Sequence, residues 1–254
     1  MAERFEIVQR AILAMLEDKK YSTLRDILAT MNPSDVAGLF KDLEDKQIPL
    51  MYRLLPKETA AEVFVELESD SQEMLINGFS NTELKEVLDE LYLDDAVDII
   101  EEMPASVVIR ILDKAAPEMR KALNEILQYP EDSAGSIMTT EYVSLRPKMT
   151  VEEAILRIRR QGVDKETIYT CYVTEGRVLV GLVTVKDLLL CSDDETLIQD
   201  IMITNLISVT TATDKEEAAK MLSKYHFLAL PVVDGENRMV GIVTFDDAMD
   251  VMEE

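Results

Sequence analysis

Carboxylates are the residues in this sequence whose number and spacing could do chemistry. The 254 residues hold 50 Asp and Glu against 26 Lys and Arg, a formal net charge of −24. Five of the last nine residues are acids: Asp246, Asp247, Asp250, Glu253 and Glu254. Apolar Ala248, Met249, Val251 and Met252 alternate with them at helical spacing. Asp247, Asp250 and Glu254 therefore line one side of a helix, and no Lys or Arg falls between residues 241 and 254. A second concentration lies in LYLDDAVDIIEEM (91–103), where Asp94 and Asp98 stand four apart on one face with Asp95 beside them. Like charges at that spacing cost an isolated helix roughly 0.2–0.5 kcal/mol. Capping of a helix start accounts for Asp94 and Asp95 but poorly for Asp98. Paired carboxylates can serve hydrolytic catalysis, yet here they sit at helix-face spacing. One histidine (His226) and two cysteines (Cys171, Cys191) form no nucleophile–base arrangement, which argues against an enzyme. The two thiols match neither a disulfide framework nor a metal spacing and read as reduced structural residues of a cytosolic protein.

The elements that must position these acids fall into two halves. Both are acidic: 14 basic and 27 acidic residues in 1–130 (net −13), 12 and 23 in 131–254 (net −11). That sign opposes phosphate contact and argues against nucleic-acid binding; a charged surface for solubility is the plainer explanation. No apolar run approaches the ~20 residues of a membrane helix, and MAERFEIVQRAILAMLEDKK reads as an amphipathic helix, not a signal peptide.

Residues 24–127 laid in rows of twelve show a repeat. Positions 27, 39, 51, 63, 75, 87, 99, 111 and 123 are all apolar. So are the columns 28–112 and 31–127, which lie at i+1 and i+4 from the first and share one helical face. Breaks recur where rows meet, at Asn32-Pro33, Ser80-Asn81, Met103-Pro104 and Ala116-Pro117. Short helices that cannot bury a face alone must stack, so residues 1–130 are expected to form an α-solenoid, with a 24-residue helical hairpin as its unit. A connector, 131–136, follows.

The second half carries a different repeat. IMTTEYVSLRPKMTVEEAI (137–155) matches IMITNLISVTTATDKEEAA (201–219), and GLVTVKDLL (181–189) matches GIVTFDDAM (241–249). Each copy reads β-α-β-β-α, with a Thr150/Glu153 or Asp214/Glu217 capping box opening its first helix. This pattern resembles the tandem CBS domain, on the two Gly-x-Val-Thr-x-x-Asp signatures ending in Asp187 and Asp247 and on Leu230-Pro231-Val232-Val233-Asp234. The expected architecture is thus α + α/β, the α-solenoid followed by a first CBS motif at 137–200 and a second at 201–254. The resemblance implies pseudo-twofold packing of the copies, homodimerisation and clefts for adenine nucleotides such as ATP, with Thr184 on phosphate and Asp187 on ribose.

The two halves together resemble the cytosolic portion of the MgtE family of magnesium transporters. The carrying segments are AAEVFVEL (60–67), LDDAVD (93–98), DSAGSIMT (132–139) and VTFDDAMDVMEE (243–254). The resemblance implies a Mg²⁺-sensing regulatory region on the cytoplasmic side of the cell membrane, joined after residue 254 to a transmembrane pore domain. Mg²⁺ would bridge acidic faces of the helical and CBS parts and favour a compact state that closes the pore. Carried over position by position, the implied ligands are Glu62, Asp94 and Asp98 in the helical part, with Glu216, Asp247, Asp250, Glu253 and Glu254 in the CBS part. One departure is Tyr225-His226-Phe227, where the family usually has Asp at the central position; imidazole is a poor ligand for this hard cation, and His226 reads as a surface or packing residue and not a ligand. The alternative is an adenine-nucleotide-responsive CBS module whose solenoid recruits a protein partner.

Overall fold

The computed structural model describes residues 2–253, with side chains for all of these except residues 2–7, 58, 164 and 253. The chain divides into two compact units, residues 1–91 with 98–120, and residues 92–97 with 121–254.

Short helices make up the first half: α1 (Ala2–Glu17), α2 (Tyr21–Leu28), α3 (Pro33–Phe40), α4 (Ile48–Tyr52), α5 (Lys57–Val65), α6 (Ser69–Gly78), α7 (Asn81–Leu88), α8 (Leu93–Glu102), α9 (Ala105–Lys114) and α10 (Pro117–Ile126). The break signals act where they stand in the sequence. Asn32 caps α3, its side chain accepting from the Ser34 N–H at 3.0 Å with Pro33 as first helical residue. Ser80 and Glu83 form a complete capping box on α7. Helices α3, α5, α7 and α9 begin at residues 33, 57, 81 and 105, a spacing of 24 that is two rows of the repeat. Within the first unit α3 packs on α5, α5 on α7 and α7 on α9, while α4 packs on α6. The helical hairpin is therefore the repeating unit, since alternate helices stack.

Burial follows the columns. From Leu39 to Leu123 every residue of the first column is buried, and Tyr52, Phe64 and Phe79 from the other two meet ring to ring at centroid distances of 5.3–6.2 Å. Buried Gln72 donates to the Phe64 and Val65 carbonyls at 2.9 and 3.2 Å, satisfying the end of α5. One expectation fails at the edge: Leu127, last in its column, is 38% exposed. It follows the end of α10, the last helix before β1 among the described residues.

The second half gives two three-stranded sheets. The first copy runs β1 (Ser144–Leu145), α11 (Val151–Gln161), β2 (Thr170–Glu175), β3 (Val178–Thr184), α12 (Val185–Leu190), and a short α13 (Ile198–Ile201) follows. The second copy runs β4 (Val209–Thr210), α14 (Lys215–Tyr225), β5 (Ala229–Val233), β6 (Met239–Thr244) and α15 (Phe245–Glu253). In each the outer strand pairs parallel with the middle one and the last two pair antiparallel. The parallel pair needs a crossover, which α11 and α14 supply. Thr150 and Glu153 complete the box expected on α11. On α14 only its forward half forms, Asp214 accepting from the Glu217 N–H at 3.1 Å. The connector runs against that helix start, with Ala134 N–H on the Thr213 carbonyl at 2.6 Å and Lys215 N–H on the Asp132 carbonyl at 3.0 Å.

The signature glycines lie where the two copies exchange backbone. Thr139 and Ile242 trade two hydrogen bonds of 2.8 and 2.9 Å, and Ile203 and Leu182 trade two of 2.8 and 3.0 Å. A Cβ on Gly241 would stand 2.7 Å from both the Thr139 carbonyl and Met138 Sδ; one on Gly181 would stand 2.5 Å from Met202 Sδ. The Ile-Met segment of each copy thus lies over the glycine of the other.

Candidate functional site

The second unit gathers the acids at the start of its last helix. Thr244 caps α15 through Asp247: the Thr244 N–H donates to Asp247 Oδ2 at 3.4 Å, and its hydroxyl donates to the same oxygen. This cap fixes Asp247, half-buried, at the first turn, with Asp246 exposed beside it. Segment 92–97, which belongs to the same unit, brings Asp94 and Asp95 from the first turn of α8. Asp94 is only 6% exposed, and one of its oxygens accepts from the Asp95 N–H at 3.1 Å.

Burial drives the Asp94 carboxyl well above the usual carboxylate range, and the charges adding to that shift are all carboxylates: Asp247, Glu166 and Asp95. Glu166 is the member that sequence reasoning missed. It lies in the loop between α11 and β2, its N–H on the Glu141 carbonyl at 3.0 Å, and its Oε2 is buried without a hydrogen-bond partner. Burial first, then Asp246, Asp247, Asp95 and Glu141, push its carboxyl up to about 8. The Tyr92 phenol is raised too, by burial and then by Glu166, Glu141, Asp95 and Asp94. Loop 162–169 has no periodicity, so nothing in its sequence marks Glu166; only the crossover places it beside a distant helix start.

Such a cluster offers oxygen ligands alone, the donor type a hard divalent cation takes. Among the described residues no group of three or more His, Cys, Asp or Glu is close enough to hold a metal ion as it stands. The donor chemistry fits Mg²⁺, whose retained waters span gaps that direct ligation does not. The other implied ligands are placed as follows. Glu62 is exposed on α5 and Asp98 exposed on α8, both in the first unit. Asp250 is exposed on α15, one turn beyond Asp246 and Asp247. Glu216 is exposed on α14 and pairs with Lys220 at 2.7 Å. The Glu253 side chain and Glu254 lie outside the described residues.

Thr184 and Asp187 form a complete capping box on α12: Thr184 Oγ donates to Asp187 Oδ2 at 2.6 Å and accepts from the Asp187 N–H at 3.1 Å. The signature therefore has a structural use in both copies, whatever else it binds. His226 is the C-cap of α14, exposed and left-handed at φ 56°, with the Phe227 N–H reaching back to the Leu222 carbonyl at 3.1 Å. Both cysteines are free, Cys171 buried and Cys191 half-buried. Among the described residues no helix is long and apolar enough to cross a membrane.

Comparison with known proteins follows the two halves. The family described as MgtE intracellular N domain matches residues 31–132, and the CBS domain family matches 134–193 and 198–254. The chain is 39% identical to the magnesium transporter MgtE of Thermus thermophilus over 244 residues, 94% of this chain and 54% of that protein. It thus spans about half the length of that relative. A crystal structure of the cytosolic domain of the Mg²⁺ channel MgtE in complex with ATP is 37% identical, with a TM-score of 0.90, covering 96% of this chain and 99% of that one. A crystal structure of the soluble part of a magnesium transporter is 30% identical, with a TM-score of 0.87 and 98% of both chains covered.

Proposed function

Because the chain belongs to the MgtE family, as an intracellular N domain followed by a CBS pair, we propose that it is the Mg²⁺-sensing regulatory region of a magnesium transporter. It acts at the cytoplasmic face of the membrane on a pore domain of the same protein. The reading is regulatory, not enzymatic. The domains are assigned as helical 1–130, connector 131–136, first CBS motif 137–200 and second 201–254.

The observation that carries this reading is buried Asp94 among Asp247, Glu166 and Asp95. Two like charges ~4 Å apart repel by about 4 kcal/mol at an intermediate dielectric. A bound cation adds an attraction to each carboxylate that offsets this repulsion. Asp94 and Asp247 would hold it, with Glu166 as a neighbour that gains from its charge. Glu62, Asp98, Glu216, Asp250, Glu253 and Glu254 are proposed as ligands of further weak sites. When bound, Mg²⁺ supplies positive charge and a shell of ordered water. Several weak sites acting on one open-to-compact equilibrium respond more steeply than any single one. The compact state is the one proposed to close the pore.

Two companions of this reading have support of their own. Leu189 and Leu190 on α12 are 67% and 73% exposed, and Met249 and Met252 on α15 are exposed too. Such apolar helix faces suit a homodimer through the CBS domains. An adenine nucleotide, ATP first, is proposed at Thr184 and Asp187; the similar MgtE cytosolic domain was crystallised in complex with ATP.

Small-angle scattering and limited proteolysis over a millimolar Mg²⁺ titration test the sensor. Compaction and protection are expected, and both are lost in a variant combining Asp94→Asn, Asp98→Asn and Asp247→Asn, where asparagine preserves the cap on Thr244. Compaction that persists in that variant, or no response to Mg²⁺ alongside protection by ATP, overturns the assignment.

A further inference from the structure

Half of the basic residues of the second half of the chain lie within twenty positions. Arg146, Lys148, Arg157, Arg159, Arg160 and Lys165 stand against only Glu152, Glu153 and Asp164, a local net of +3 in a chain of −24. Five of them converge. Arg146 and Lys148 lie in the turn before α11, and with Arg157 and Arg160 they line a cavity of about 590 Å³. Arg157 and Arg160 are three apart and share a helix face. They also line an adjoining cavity of about 460 Å³, with Lys165 and Tyr142 on its wall.

We propose that this face of α11 and its flanking turns bind a phosphate-bearing anion. Three observations point there. None of the five cations pairs with a described carboxylate, whereas Lys220 and Arg238 in the same unit each do. Glu153 is the acid on the wall, and its carboxylate is occupied by the Thr150 N–H at 3.0 Å. The Nε of Arg157 is buried and has no hydrogen-bond partner, so no protein acceptor holds this guanidinium through that nitrogen.

A helix C-terminus favours basic residues in its last turn, which accounts for Arg159 and Arg160. It does not account for Arg146 and Lys148 on the first cavity or Lys165 on the adjoining one, which lie outside the helix and stand beside Arg157 and Arg160 against their mutual repulsion. Two guanidinium groups on one face suit the planar, multidentate recognition of phosphate oxygens. The cavity is far larger than one orthophosphate, so the ligand carries several phosphates or a phosphate on a larger body. The acidic remainder of the chain repels such a ligand only weakly at physiological salt, where charges beyond about 8 Å are screened. The ligand is either a free phosphorylated anion or the headgroup of an anionic phospholipid; both present the same chemistry.

The test is run on the 254-residue chain in EDTA, so that its failure leaves the magnesium reading untouched. Inorganic tripolyphosphate is titrated calorimetrically, and vesicles of phosphatidylglycerol or phosphatidylcholine are used in flotation. Arg157→Gln with Arg160→Gln is expected to weaken binding at least tenfold. Arg159→Gln removes the same kind of charge from the same helix but lines neither cavity, and is expected to change binding less than twofold. Circular dichroism confirms that each variant is folded. Tripolyphosphate binding identifies a free anion, and binding to phosphatidylglycerol vesicles alone identifies a headgroup. Binding of neither probe overturns the proposal, as does equal loss in Arg159→Gln. Arginine-dependent self-association without any phosphate, which would make the occupant an acidic segment of a second copy, also overturns it.

Discussion

Replacing Gly241 by Ala tests the exchange that joins the two CBS copies. The new methyl would stand 2.7 Å from the Thr139 carbonyl and 2.7 Å from Met138 Sδ, closer than Cβ contacts allow. Met138 and Thr139 are 2% and 0% exposed, so neither has solvent to move into. The methionine can change rotamer, but the Thr139 carbonyl is held by the Ile242 N–H at 2.9 Å. Overpacking of this kind costs about 1–3 kcal/mol, and stretching the pair of backbone bonds adds up to about 1 kcal/mol each. A loss of about 2–4 kcal/mol is expected, and at roughly 2–4 °C per kcal/mol for a domain of this size Tm falls by about 4–16 °C. Thermal melts followed by circular dichroism measure it. Gly78→Ala is the control: it lies at the end of α6 with nothing within 4 Å of its added methyl, and is expected to gain about 0.5–1 kcal/mol. Adding Met138→Ala to Gly241→Ala should restore only part of the loss, since the backbone clash remains. A Gly241→Ala chain that melts with the parent would refute the reasoning.

Two further outcomes follow from the same physics. The Glu166 carboxyl is raised from about 4.5 to about 8, so its contribution to stability is present below pH 4.5 and is lost as pH rises through 8. In chelator, Tm should fall across that window, less so in Glu166→Gln; a slope unchanged by the substitution contradicts the cluster. His226 holds a left-handed backbone that glycine adopts without strain. His226→Gly is therefore expected to raise stability by up to about 1 kcal/mol in denaturant melts, and a loss would show that the imidazole makes a stabilising contact.

Much of the fold was legible because it rests on periods. The twelve-residue columns predicted the buried positions from Leu39 to Leu123, since a helix too short to fold alone repeats its apolar face at every row. The array's end was not legible, because Leu127 keeps the apolar pattern yet lies past the end of α10 and is exposed. Asp94 and Asp247 could be singled out as acids without a basic neighbour in sequence. Glu166 could not, because its place depends on a crossover, not on spacing. The use of Thr184 and Asp187 in a cap is written in the same Thr-x-x-acid spacing as Thr150 and Glu153.

The lengths of backbone that pass between the CBS copies set what can be inherited. Residue 139 closes the sheet edge at Ile242, and residue 203 closes the edge at Leu182. Remove either copy and the survivor keeps a vacant glycine and a strand edge with unmet hydrogen bonds, the kind of surface on which chains aggregate. Two repeats similar enough to be aligned by eye have thus become inseparable. Such a region gains or loses regulation by changing side chains within the pair, and discarding half of it is closed as a route.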